Sequence, residues 1–214
     1  MKITAFVPLK TNSQRVPKKN FKPLAGKPLF VHIFEALLQV PQIDEIVCWA
    51  SDEVFKKDLP KGVKFVKRES YLDTDSIRTK DIITAAANQL DSDFYILAHA
   101  TSPFLTANSI SKGIEAILDG YDSSFSVKEI KNYCWFEGKT LNYDINNPVQ
   151  TQYLESVFCE ISGFFIYSKK LVLEKSRRIG DNPKMIPVSD LEAIDIDEES
   201  DYEFAKLLEN TLYK

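Results

Sequence analysis

The stretch Ile3-Thr4-Ala5-Phe6-Val7-Pro8-Leu9-Lys10-Thr11-Asn12-Ser13-Gln14-Arg15-Val16-Pro17-Lys18-Lys19-Asn20 decides the fold. Residues 3–8 are a short apolar run rich in β-formers, the pattern of a strand buried on both faces of a parallel sheet. The character then changes to cations interleaved with small polar residues. In open parallel sheets the ligand sits beyond the C-terminal strand ends, where the strand order reverses. A basic loop leaving the first strand is therefore a candidate anion site by position as well as by chemistry.

Working outward, 28–38 reads as a helix with Pro28 near its first turn. Residues 43–50 and 63–66 read as strands, 79–90 as a helix, and 94–98 as a strand ended by the turn-like Thr101-Ser102-Pro103. A helix over 108–118, capped by Asn or Ser, and a strand over 123–127 follow. The pattern degrades over 128–152 into polar and aromatic residues with Gly138, Asn146, Asn147 and Pro148, which predicts an insertion or hairpin arm. Strands over 160–167 and 191–196 and an amphipathic helix over 199–212 close the chain. This alternation predicts a doubly wound α/β fold, a mostly parallel sheet with helices on both faces.

The length of 214 residues suits one α/β domain over 1–214, with 128–152 as an arm within it. A formal net charge of -4 gives no global attraction to nucleic acid or to an anionic membrane. No apolar run reaches the length of a bilayer span. Cys48, Cys134 and Cys159 form no CxxC pair and are expected to be buried free thiols of a reducing, cytoplasmic setting. The charge is polarised. Residues 1–27 carry seven cations and no acid, whereas Asp190, Glu192, Asp195, Asp197, Glu198, Glu199 and Asp201 fall in 190–201 with no base. Such ends suit one site for an anion and a metal, and equally two unrelated solvated surfaces.

The loop's chemistry points the same way. Lys10, Asn12, Ser13, Arg15, Lys19 and Asn20 supply the cations, amides and hydroxyl that a polyphosphate needs. GxxxxGK[ST] is absent, so the loop is not of the Walker type. Near the other end stands Ile194-Asp195-Ile196-Asp197. On a strand, residues two apart share a face, so Asp195 and Asp197 would converge as ligands for Mg2+ (or Mn2+), which prefers oxygen donors. In the metal-free chain the two carboxylates would repel each other. Arg177 and Arg178 admit two readings, an acceptor-anion contact or favourable charge at a helix C-terminus.

The order of these motifs resembles the CMP-acylneuraminate synthetase family. Those enzymes open with a loop of the form ARGGSKRxPxKN and a PLxGKPL segment, matched here by 13–20 and by Pro23-Leu24-Ala25-Gly26-Lys27-Pro28-Leu29. Thr11-Asn12 stand where the family has Gly-Gly, and Gln14 replaces a Lys. Lys67-Arg68 through Asp75 resembles RPxxLAxD, which implies Arg68 and Thr79 in the cytosine pocket. Leu97-Ala98-His99-Ala100-Thr101-Ser102-Pro103 resembles LLQPTSP, with His99 in place of the Gln that faces the acceptor. The strand from Glu160 and the Arg177-Arg178 pair resemble acceptor-side segments, and the DID motif is matched at 195–197.

The resemblance implies a nucleotidyltransferase fold of the nucleotide-diphospho-sugar transferase type. It implies CTP as donor, a small-molecule acceptor (a keto-acid sugar such as a sialic-acid-like sugar, or a related acid or phosphonate), and loss of pyrophosphate. It assigns nucleotide binding to Lys10, Asn12, Ser13, Arg15, Lys19, Asn20, Arg68 and Thr79, and catalysis to Lys19, Asp195 and Asp197. Acceptor binding falls to His99, Thr101, Ser102, Glu160, Arg177 and Arg178. A homodimer built through the arm is a further expectation. Two rivals stand beside this reading. One is a sugar-1-phosphate nucleotidyltransferase using another NTP, whose loop would be richer in glycine. The other is an inactive binding module of the same fold.

Overall fold

A computed structural model describes residues 1–212 of the chain. In chain order the strands are β1 (Ile3–Leu9), β2 (Pro23–Leu24), β3 (Lys27–Pro28), β4 (Glu45–Ala50), β5 (Val63–Lys67), β6 (Phe94–Ala98), β7 (Ser123–Ile130), β8 (Trp135–Phe136), β9 (Lys139–Thr140), β10 (Val157–Ser168) and β11 (Pro183–Val188). The helices are α1 (Leu29–Leu38), α2 (Thr79–Gln89), α3 (Ala107–Leu118), α4 (Lys169–Lys175) and α5 (Glu199–Leu212).

Seven strands form one sheet in the order β11-β7-β10-β6-β1-β4-β5. β4 and β6 flank β1 in parallel, β5 continues parallel to β4, and β11 runs parallel to β7. β10 is antiparallel to both β6 and β7, the one reversal in this sheet among the described residues. The expected mostly parallel, doubly wound sheet is present. One apolar layer packs α1 and α3 on one face, around Phe30, Phe34, Ile110 and Ile114. A second packs α2 and α4 on the other, around Trp49, Ile83, Tyr95 and Val172. β1 is buried on both faces, as its unbroken apolar run requires.

Several expectations need correction. Residues 191–196 are a turn, not a strand. The Ala193 N–H bonds the Ser189 carbonyl and the Ile194 N–H bonds the Leu191 carbonyl, so the backbone closes on itself before Ile196 docks on Thr101. The neighbouring strand is β11, which the sequence obscured. Pro183 and Pro187 sit in it, and proline is tolerated there because β11 is the sheet edge. Helix α3 is capped by Thr106, whose hydroxyl accepts the Ser109 N–H at 3.3 Å, rather than by Asn108. Of the three cysteines only Cys48 is buried; Cys134 is half-buried and Cys159 exposed.

Past β7 the chain leaves the sheet as an arm. Glu137 and Gly138, both at positive φ, turn the β8–β9 ribbon in the manner of a tight hairpin. Asn142 ties the arm's base, donating to the Asn132 and Glu155 carbonyls at 2.9 and 2.8 Å. β10 carries a bulge between Glu160 and Phe165, and Gly163 lies in it. A Cβ there would meet the Ser126 hydroxyl at 2.7 Å, so glycine is what lets the strand cross β7 closely.

Candidate functional site

The strand order reverses between β1 and β6, because β4-β5 lie beyond one and β10-β7-β11 beyond the other. Loop 10–22 leaves β1 and loop 99–106 leaves β6, so the crevice predicted for such sheets opens between them. Lys10, Asn12, Ser13, Arg15, Lys19 and Asn20 line one cavity, with His99 and Thr101 from the second loop and Asp75 opposite. A neighbouring cavity shares Pro8, Lys10 and His99 and adds Arg68, Leu72, Arg78 and Thr79. The two are parts of one cleft.

The loop is shaped by its own contacts. Asn20 Nδ2 donates to the Lys10 carbonyl at 2.8 Å, and Val16 is fully buried as its anchor. The residue in left-handed backbone is Lys18, at φ 51°. Thr11 and Asn12 are not among the positive-φ residues, so the glycine pair of the related motif is not needed for this turn.

The basic start and the acidic end of the chain meet here. Arg15 pairs with Asp197 at 2.8 Å and Glu198 at 3.2 Å. Lys19 Nζ donates to the Ile196 carbonyl at 2.7 Å and to Asp197 Oδ1 at 3.2 Å, and Lys22 pairs with Glu199. Burial pushes the Asp197 carboxyl up, but Lys19 and Arg15 outweigh it and hold its pKa below the usual range. Asp197 in turn raises the Arg15 pKa. Repulsion between two unpaired carboxylates is thus not the metal-free state, since Asp197 has cationic partners.

Asp195 and Asp197 flank fully buried Ile196, whose N–H bonds the Thr101 carbonyl at 2.8 Å. They therefore come from a single docked peptide and not from a sheet ladder, and Asp197 meets the cleft through its pairs with Arg15 and Lys19. Asp195 Oδ1 is buried without a hydrogen-bond partner among the described residues. A buried, orphaned carboxylate oxygen two residues from a second carboxylate is a donor set that would fit a hard dication completed by phosphate oxygens and water. Among the described residues no cluster of three or more His, Cys, Asp or Glu side chains surrounds a point suited to an ion.

Arg68 is 4% exposed. Its Nη2 donates to the Leu9 carbonyl at 3.1 Å and to Asp73 Oδ1 at 2.5 Å, and its guanidinium lies 5.2 Å from the Trp49 ring centre. Nε and Nη1 are buried with no partner among the described residues. Unmade donors on a buried guanidinium are costly, so this cavity-lining residue is a candidate for a ligand acceptor once those atoms are uncovered. Thr79, the first residue of α2, lines the same cavity.

Next to His99, Arg178 lies 3.5 Å over the Phe165 ring and pairs with Glu160 at 2.7 Å. His99 meets the same Phe165 edge-on at 6.2 Å. Burial pushes the His99 ring down to about 4 and Arg178 adds to the fall, so the ring is neutral near pH 7; Nδ1 is buried and unpartnered. Arg177 is drawn away and pairs with Asp181 at 2.5 Å. Ser102 is 1% exposed, donates its N–H to the His99 carbonyl and lines neither cavity. Residues that the motifs did not single out also take part. Gln14 Nε2 donates to Asp75 Oδ2 at 2.5 Å across the cleft, Asp73 seats Arg68, and Phe165 floors Arg178. The signal for the first two lay in the acid-rich 73–75 stretch, whereas Phe165 looked like any strand residue.

Residues 4–210 match the family model described as Cytidylyltransferase. The chain belongs to the cytidylyltransferase family. Among its relatives, N-acylneuraminate cytidylyltransferase A of Danio rerio is 29% identical over 95% of this chain and 50% of that protein. The chain thus spans about half the length of this relative. Two bacterial relatives are matched nearly end to end. Pseudaminic acid cytidylyltransferase of Campylobacter jejuni is 26% identical over 97% of this chain and 96% of that protein. CMP-N,N'-diacetyllegionaminic acid synthase of Legionella pneumophila is 28% identical over the same shares, 97% and 96%. In fold, this cytidylyltransferase-family chain is similar to a CMP:2-keto-3-deoxy-manno-octonic acid synthetase solved with CTP. The TM-score is 0.73 over 99% of each chain, at 14% identity.

Proposed function

We propose that this chain transfers CMP from CTP to an acceptor oxygen of a keto-acid sugar and releases pyrophosphate. The observation that carries the reading is the cleft itself. It holds a buried arginine at one end and a cationic loop in the middle, and Arg15 and Lys19 of that loop pair with Asp197, two residues from Asp195. That order matches a base, a triphosphate and a metal. The acceptor oxygen attacks the α-phosphorus, and the bond from that phosphorus to the bridging α–β oxygen breaks with its electron pair leaving on pyrophosphate. Lys10, Arg15 and Lys19 would neutralise the charge gathering there, with Asn12, Ser13 and Asn20 as hydrogen-bond partners. Arg68 and Thr79 would bind the cytosine end.

Asp195 and Asp197 would hold Mg2+ (or Mn2+), which when bound neutralises phosphate charge and polarises the α-phosphoryl group. Lys19 touches Asp197, so it links the loop to that carboxylate. On the acceptor side Arg178, Glu160, His99 and Thr101 would meet the sugar acid, with neutral His99 hydrogen-bonding and not transferring a proton. Arg177, held by Asp181, is given no contact.

We further propose one domain over 1–214, of which 213–214 lie outside the described residues, with 128–152 as its arm. The exposed Trp135, Phe136 and Ile145 suit that arm to a homodimer contact. Among the described residues no helix is long and apolar enough to cross a membrane, and a cytoplasmic enzyme is the setting proposed.

Pyrophosphate release measured with CTP, UTP, ATP and GTP against a panel of keto-acid sugars tests the reading. Turnover with CTP and one such sugar is expected. Equal turnover with UTP and a sugar 1-phosphate would establish the rival transferase. Tight CTP binding without turnover on any acceptor would establish a binding module.

A further inference from the structure

The most heavily hydrogen-bonded carboxylate near the cleft belongs to Glu192, which touches no cavity residue. Its residue is 7% exposed. Oε1 accepts from the Thr106 N–H at 3.1 Å, the Thr106 hydroxyl at 2.6 Å and the Ser109 hydroxyl at 2.6 Å. Oε2 accepts from the Ser189 N–H at 3.1 Å and the Ser189 hydroxyl at 2.9 Å. All five donors are neutral. Both oxygens act only as acceptors, and each faces one backbone N–H that cannot accept, so an amide in this place would turn its NH2 group against the Thr106 or the Ser189 N–H. The site favours a carboxylate over its amide isostere.

The donors come from two places. Thr106 and Ser109 are the cap and first turn of α3, at the far end of loop 99–106. Ser189 is the residue after β11, where the turn carrying Glu192 begins. The near end of the same loop is tied independently, by the Ile196 N–H on the Thr101 carbonyl. The segment 189–197 is thus fastened to loop 99–106 at both ends, and Asp195 and Asp197 follow Glu192 by three and five residues.

We propose that Glu192 is a positioning residue that holds the Asp195–Asp197 pair in register with loop 99–106. It acts through backbone placement and touches neither nucleotide nor acceptor. The inference rests on the reading of Asp195 and Asp197 as the metal-binding pair, and the test separates the two.

The full chain is loaded with CTP, and Mn2+ binding is followed by the paramagnetic resonance of the free ion. Binding of CMP without metal is measured by calorimetry as a control on the nucleoside end. Both are run well below each variant's melting midpoint. Asp197→Asn is expected to reduce Mn2+ binding to the level that CTP shows without protein. Glu192→Gln is expected to weaken it by about tenfold, the loss from one misplaced ligand, with CMP affinity unchanged. Ser109→Ala, which removes one donor from the same carboxylate, is expected to shift Mn2+ binding in the same direction by a smaller factor. If Glu192→Gln melts lower but binds Mn2+ like the parent while Asp197→Asn does not, Glu192 only stabilises the fold and the inference is overturned. Should Glu192→Gln not fold, unchanged Mn2+ affinity in Ser109→Ala overturns it instead. If Asp197→Asn itself binds Mn2+ normally, the metal reading fails and the positioning role falls with it.

Discussion

Two arginines stand on either side of His99, Arg68 in the lining of the cleft and Arg178 over Phe165, and they are held differently. Arg68 is buried, held by the Leu9 carbonyl and Asp73, and has two nitrogens without a partner among the described residues. Asp73 is itself held by the Ser51 hydroxyl, so the guanidinium is braced from behind. Arg178 is more open, lies on Phe165 and has its charge met by Glu160. A braced, desolvated cation is held in one orientation, although its unpartnered nitrogens are covered and must be uncovered before a ligand can reach them. A cation already paired with a half-exposed carboxylate must give up that partner before it takes another. Under the proposed function, the contrast makes the nucleoside side the more rigidly held, while the acceptor side must exchange contacts when an acceptor arrives.

The largest expected effect comes from the peptide that carries Asp195 and Asp197. Asp197→Asn should lower kcat by about a hundredfold or more, since metal-assisted charge stabilisation is worth several kcal/mol and each 1.36 kcal/mol is tenfold. The melting temperature should fall slightly, because Lys19 and Arg15 lose a charged partner. Turnover against Mg2+ concentration, with melts alongside, checks both; normal turnover would move the metal elsewhere.

On the nucleoside side, Arg68→Lys is expected to weaken CTP binding by more than tenfold and to lower the melting temperature by several degrees. A point ammonium cannot reproduce the fork, and a buried ion pair broken on one side is costly, on the order of 3 kcal/mol. Calorimetry with CTP reads it. If the change costs stability but no CTP affinity, the unpartnered nitrogens are structural and Arg68 does not belong to the nucleoside side.

Arg15→Ala, in the loop, should cost about tenfold in CTP affinity, the worth of one charge-assisted phosphate contact. Lys2→Ala, whose partner is Glu45 at 3.3 Å, is the control and should leave CTP binding intact. Similar losses in both would reduce the loop to a solvated surface.

The smallest effect is assigned to the acceptor side. His99→Gln should change acceptor KM or choice by a few-fold and leave CTP binding unchanged, since a neutral ring gives way to a neutral amide. A loss of CTP affinity at constant acceptor KM would shift His99 to the nucleoside side and dissolve the distinction between the two.

Much of this was legible in the chain. The unbroken apolar run of β1 could only be a doubly buried strand, and the cations after it could only stand at a strand end. The motif order from the loop to Asp197 located the cleft before any coordinate. Three elements escaped. β11 carries two prolines, so its edge position in the sheet, not its propensity, makes it a strand. The segment 191–196 alternates like a strand but is a turn, because Ser189, Thr106 and Ser109 hold Glu192 and bend the backbone. Arg177 and Arg178 are indistinguishable by position, yet Asp181 takes one and Phe165 with Glu160 takes the other.

The sequence by itself determined most of the sheet's strands, the basic loop and the acidic end, because hydrophobic period and charge order are local properties of a chain. Only the tertiary structure decided which charges meet. Arg15 and Asp197 stand 182 positions apart in sequence and 2.8 Å apart in space. No local pattern encodes such a contact, since it exists only once β1 and the peptide after β11 have been packed against the same crevice.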